Sequence, residues 1–357
     1  MAQALVSPFS GGEHPELEAI QSLIRRAGRY LRTDVVCEVP LGRERLPVYC
    51  LEMGATAADV PAVGFFGGVH GVERIGSHVL LAWLQSLVER LEWDELLHET
   101  LRRVRLVFMP LVNPGGMRRR TRANPAGVDL MRNAPVDADH SVLWPLGGQR
   151  LSPLLPWYRG KRDTAMQAEA QALCRIVEAR LLPHRFSLTL DCHSGFGMTD
   201  RIWFPYARSH QPIDCLADIY TLRNLFHSAH PYHHFYLIEP QASRYTTHGD
   251  LWDYLYDRSK AGGGGRFIPL TLEMGSWLWV KKRPAQAFSM LGIFNPIAPH
   301  RHQRILRKHL ALFDFLIRAA ASHQRWLPDN TRRHALHESA RTYWYDPQPR
   351  PPAPVHG

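Results

Sequence analysis

His70 and Glu73 stand three residues apart in GGVHGVE, where a glycine-rich loop gives way to a helix. That spacing can bring an imidazole and a carboxylate to one ion. Among the twenty histidines of the chain, His70 alone has a glutamate three positions later. His193 closes the segment FSLTLDCH. Glu273 lies in the apolar run IPLTLEM, where a carboxylate is costly to bury unless it is paired or does chemistry. Two neutral imidazoles and one carboxylate around zinc leave a fourth position open for water, the form that catalytic zinc sites take. Each piece has a plainer reading too: a helix-start glutamate favouring the macrodipole, a satisfied core histidine, a glutamate in a buried ion pair.

The segment NPGGMRRRTRANPAGVDLMRN (113–133) joins these pieces. It resembles the N-P-x-G…R-x-N-x-x-G-V-D-L-N-R-N stretch of the zinc carboxypeptidase family, in particular the short bacterial branch that includes murein peptide amidases. H-x-x-E upstream, D-C-H-S-G downstream and T-L-E-M near the end match in order and approximate spacing. Tyr245 in YTTHGD and the segment YRGKRDTAMQAEAQAL (158–173) also resemble that branch, so the likeness covers roughly residues 60–280.

The resemblance implies one zinc per chain, held by His70, Glu73 and His193, with Glu273 as the general base that activates water. By the same match Arg122 stabilises the oxyanion, Arg132 grips the substrate carboxylate, and Tyr245 is the mobile substrate-contacting tyrosine. Asp129 matches the carboxylate that orients a zinc histidine, which fixes tautomer and ring orientation. Met131 departs from the pattern: the family has Asn there, and a thioether cannot donate a hydrogen bond to a carboxylate.

Other clusters read as surface. The histidines of HSAHPYHH (227–234) lack a carboxylate partner and suggest a loop with adventitious metal affinity. Glu95 and His98 form an E-x-x-H pair with no second pair to complete a di-metal bundle. Arg118, Arg119 and Arg120 have no aromatic interleaving of the kind nucleic-acid modules show.

The elements that must position these residues alternate between strand and helix. Residues 15–32 have helical spacing, and 33–53 alternate around Gly42 as a hairpin. Residues 62–71 form a buried strand entering the glycine-rich loop; Val79, Trp83, Leu87 and Leu91 then recur at helical intervals. Strands follow at 104–113, 186–193 and 267–275, with a helix over about 165–182 and a last amphipathic helix over 300–323. This order predicts an α/β fold with a mixed, largely parallel sheet flanked by helices. Ligands in such sheets bind at the carboxyl ends of the strands, where His70, His193 and Glu273 stand. The expected organisation is a helix and hairpin leader (1–55), a catalytic domain (56–325) and a Pro/Arg/His-rich tail (326–357) that docks loosely or is disordered.

Apolar content of 45% over 357 residues describes a folded domain, and the net charge of +10 is dispersed. Five cysteines without a C-x-x-C pair suggest reduced thiols. The absence of a signal-like start or a membrane-length apolar run predicts a cytoplasmic protein without a membrane partner. The resulting expectation is a hydrolase that cleaves an amide of a small peptide near a free carboxylate. Its rivals are an N-acyl amino acid deacylase resembling the aspartoacylase and succinylglutamate desuccinylase branch, and a non-catalytic basic binding protein for nucleic acid or an acidic partner.

Overall fold

The computed structural model describes residues 12–195 and 197–346. At its centre is an eight-stranded mixed sheet in the order β1-β2-β4-β3-β5-β8-β6-β7. The strands are β1 (Arg32–Leu41), β2 (Glu44–Gly54), β3 (Ala62–Gly67), β4 (Arg105–Met109), β5 (Phe186–Gly195), β6 (Asp200–Phe204), β7 (Tyr236–Pro240) and β8 (Arg266–Gly275). The four central strands β4, β3, β5 and β8 run parallel to one another, while β2 and β6 flank them antiparallel. Every residue of β3 and β5 is buried, as expected for strands covered by helices on both faces.

The flanking helices are α1 (Pro15–Ala27), α2 (Arg74–Arg90), α3 (Glu95–Arg103), α4 (Pro114–Arg119), α5 (Ala168–Arg180), α6 (Leu216–Ala229) and α7 (Leu251–Ala261). After β8 come α8 (Trp277–Lys282), α9 (Met290–Phe294), α10 (Pro299–Lys308), α11 (Leu310–Ala321), α12 (His323–Trp326) and α13 (Asn330–Trp344). Successive β3 residues point to opposite faces, so two adjacent phenylalanines anchor two layers. Phe65 packs on Trp83 of α2 and Phe313 of α11, whereas Phe66 meets Trp252 of α7. None of the described helices is long and apolar enough to cross a membrane.

Three expectations need correction. The hairpin forms around Gly42, but it is not a separate leader, because β2 pairs antiparallel with β4 and extends the main sheet. The helix expected over 300–323 is two helices, α10 and α11, parted at His309. That side chain is fully buried and its Nδ1 lies 2.8 Å from the Tyr236 hydroxyl, a tertiary contact that apolar periodicity does not report. The tail is ordered through α13, which packs on α6. Its Trp344 is buried and donates its indole N–H to the Ile238 carbonyl at 2.8 Å. The Arg- and His-rich composition conceals this helix because Ala340 and Trp344 are its only fully buried residues. The final segment 347–357 lies outside the described residues.

Candidate metal centre

The loop after β3 carries His70 and ends at Glu73, the N-cap of α2. Two glycines let the backbone close up around it. A Cβ at Gly71 would lie 2.0 Å from the carbonyl carbon of Gly116 in α4, and one at Gly76 would lie 2.1 Å from the Cys192 carbonyl oxygen. The first contact seats the His70 loop on the NPGG turn, and the second lays α2 against β5. Asn113 ties the turn together: its side chain accepts from Gly116 N–H at 2.7 Å and donates to the Val69 carbonyl at 3.2 Å.

Within this frame His70, Glu73 and His193 are all buried, and one ligand atom from each lies within 4.8 Å of the others. Glu73 Oε2 accepts the Ser194 backbone N–H at 3.0 Å and faces His193 Nδ1 at 3.1 Å. His193 Nε2 lies 2.7 Å from Asp191 Oδ2, which also accepts the Trp252 indole N–H at 2.9 Å. Arg122 donates to Glu73 Oε1 at 2.8 Å and to Asp129 Oδ2 at 2.9 Å, and its Nη2 lies 2.7 Å from His70 Nε2. His70 Nδ1 is buried without a hydrogen-bond partner, 3.6 Å from Asp129 Oδ1.

An orphaned buried imidazole nitrogen beside a second imidazole and a carboxylate fits the donor set that catalytic zinc sites use. The charges of His70 and Glu73 agree with it; that of His193 answers to its two carboxylate neighbours. Burial and the neighbouring Arg122 guanidinium hold His70 well below the usual histidine range, which favours the neutral imidazole. Burial acts against ionisation of Glu73, but the hydrogen bond from His193 and the Arg122 charge prevail and keep it a carboxylate. Burial would also lower His193; Asp191 and Glu73 outweigh it and raise this imidazole instead.

Glu273 is the direct neighbour of His193 in the parallel β5–β8 register. Burial, with repulsion from Glu73, lifts its carboxyl to about 8. Tyr245 packs edge-on against Trp203 with centroids 6.1 Å apart. Arg132 is buried, with Nε 3.5 Å from the Leu146 carbonyl. All nine residues singled out from the sequence line one cavity of about 650 Å3: His70, Glu73, Arg122, Asp129, Met131, Arg132, His193, Tyr245 and Glu273.

A family profile described as zinc carboxypeptidase matches residues 41–276, a span that contains every one of these nine. The chain belongs to the zinc carboxypeptidase family. Carboxypeptidase SOL1 of Arabidopsis thaliana is 32% identical over 92 residues, covering 25% of this chain and 19% of that protein. The chain thus spans a fifth or less of the curated relatives it matches. Among solved structures, thrombin activatable fibrinolysis inhibitor superposes with a TM-score of 0.65 at 16% identity, covering 87% of this chain and 74% of that one. Carboxypeptidase A from Helicoverpa armigera gives 0.63 at 18% identity, covering 86% and 72%. At such identities the superpositions speak for the zinc carboxypeptidase fold.

Two acidic residues of the cavity region received no role from the sequence: Asp191, visible there only as part of the D-C-H segment, and Asp250. Asp191 sits two positions before His193, so strand alternation puts both side chains on one face of β5. That spacing was the available signal. Asp250 lines the cavity and caps α7, where Oδ1 accepts from Trp252 and Asp253 N–H at 2.9 and 3.0 Å. The 227–234 histidines lie elsewhere: His230 and His233 pack on Phe226, at centroid distances of 4.9 and 5.4 Å. His98 does not pair with Glu95; its Nε2 lies 2.9 Å from the Leu91 carbonyl.

Proposed function

We propose that the protein is a zinc-dependent hydrolase that cleaves an amide bond of a small peptide near a free carboxylate. The observation that carries this reading is the convergence of His70, Glu73 and His193 beside Glu273. One zinc per chain would be held by those three side chains, and it supplies Lewis acidity, polarising a carbonyl and acidifying water. Glu273 takes the proton of the attacking water and passes it to the leaving amine; a pKa near the working pH suits both directions of transfer. Arg122, held by Asp129, faces the oxygen on which negative charge develops. Arg132 and Tyr245 bind the substrate carboxylate at the buried end of the cavity. Asp191 and Trp252 fix the His193 ring. We assign the activity to the cytoplasm, where the five unpaired cysteines stay reduced.

Metal analysis of the purified protein tests the reading. About one zinc per chain is expected, lost in His70→Ala and in His193→Ala when both are made in a background lacking the 227–234 histidines. Full zinc occupancy in both variants, or no turnover across a panel of blocked peptides and N-acyl amino acids, would overturn it.

A further inference from the structure

Large apolar side chains exposed one by one are normal on a protein surface. Their distribution here is not even: of seventeen such residues among those described, five lie in 143–155 and five in 277–297. Both segments reach the metal-centre cavity, the first through Leu154 and Leu155, the second through Met290. Along that cavity, exposure rises from 2% at His70 and 3% at Arg132 to 40% at Leu155, 56% at Met290 and 93% at Leu154. The cavity therefore runs from a polar, buried floor to an apolar, open mouth.

Both apolar segments are built rather than loose. Gln149 is buried, and its amide organises the first: Nε2 donates to the carbonyls of Ser152, Leu155 and Pro156 at 2.9 to 3.2 Å, while Oε1 accepts from Leu151 and Ser152 N–H at 2.7 and 3.1 Å. Gln286, equally buried, donates to the carbonyls of Gly292 and Asn295, both at 3.0 Å. Asn295 in turn donates to Val72 in the His70–Glu73 loop at 2.7 Å. With backbone polar groups tied inward, the side chains of Leu154, Leu155 and Met290 are what the loops offer to a ligand. Among the described residues of the lining, the one exposed charged side chain is Arg120, a cation, so no exposed carboxylate there pairs a cationic group.

We propose that the substrate carries an extended apolar group on the acyl side of the scissile amide, and that Leu154, Leu155 and Met290 bind it. The direction rests on the proposed function. With the carboxylate end on the buried floor at Arg132, the acyl side is the part that reaches the mouth.

The test is a series of N-acyl amino acids with one constant amino acid and acyl chains from acetyl to decanoyl. Turnover is followed on the zinc-loaded protein, and binding by calorimetry on zinc-loaded Glu273→Gln. Each added methylene should tighten binding and raise kcat/KM by roughly two- to fourfold until the mouth is filled. The decanoyl-to-acetyl ratio should fall in Leu154→Ser/Leu155→Ser and in Met290→Ser, with unchanged circular dichroism. Gln149→Leu, which unties the first loop, should lower it as well. A flat response in the unmodified protein, or an undiminished ratio in both serine variants, overturns the proposal. Length-dependent binding without turnover would sink the hydrolase reading alone; turnover indifferent to length would sink this inference alone; no binding would sink both. A concentration-dependent dimer that shields Leu154, with no chain-length gradient, would assign the surface to a second copy of the chain instead.

Discussion

Asp191 Oδ2 lies 2.7 Å from His193 Nε2 and thereby turns the other ring nitrogen, Nδ1, toward Glu73. A carboxylate behind a metal-facing imidazole fixes its orientation and increases its basicity.

Removing that carboxylate should loosen the metal without touching a ligand. Asp191→Asn is expected to weaken zinc affinity by on the order of 10- to 100-fold, measured by competition with a chelator. Trp252→Phe, which removes the second hydrogen bond to Asp191, should act in the same direction and more weakly. Wild-type affinity in Asp191→Asn would show that β5 packing alone orients the ring.

Glu273→Gln should keep zinc and fold while turnover drops by about 10²–10⁴, the scale of a general acid–base residue. The amide preserves shape and cannot accept the proton. Near-normal turnover in a zinc-loaded Gln variant would mean that another group activates the water.

Met131 is buried and lines the cavity next to Arg132. Met131→Asn should raise kcat/KM for simple peptides with free C-termini, since a hydrogen bond to a charged group contributes about 1.5–3 kcal/mol, on the order of tenfold or more in rate. Fast release by the unmodified enzyme, with no gain in the variant, would remove Met131 from the specificity argument.

Acid should destabilise the fold through His309. Its burial holds the imidazole down to about 4, against an ordinary value of 6.5. Between those values the unfolded chain binds a proton that the folded chain refuses, so stability falls as pH drops through this window. Urea unfolding across the pH range should show His309→Gln with a shallower fall, by up to about 1.4 kcal/mol per pH unit. An equal slope in the variant would place the acid sensitivity elsewhere. His302, held to about 4 by burial and by His78, acts in the same direction.

What the sequence discloses follows the range of the interaction. The strand-end positions of His70 and His193 were readable because apolar runs stop there and their side chains are chemically out of place. Glu273 was readable for the same reason, as an acid in an otherwise apolar strand. Contacts between distant segments left no such trace. Trp252 reaches Asp191 across 61 positions, and Gln149 and Gln286 look like ordinary polar loop residues until their backbone partners are known. The α10–α11 break depends on Tyr236, far upstream of His309. The helix α13 buries so little of its surface that its pattern is dominated by the solvent-facing side.

The spacing between Glu73 and His193 is set by a missing atom. Because position 76 has no Cβ, α2 can rest on the Cys192 carbonyl, and the helix start is delivered to the strand end at metal-binding range. The gauge of the proposed tripod is therefore held in main chain, one helical turn from Glu73 and one residue before His193. Widening it by a single methyl group should favour a larger cation over zinc, since coordination distances differ between ions by tenths of an ångström. In Gly76→Ala, competition between zinc and the larger cadmium ion would register as altered metal preference with every donor atom still in place; an unchanged preference would show that the loop absorbs the shift. Metal choice in this fold would then be adjustable from a residue that no inspection of the ligands would single out.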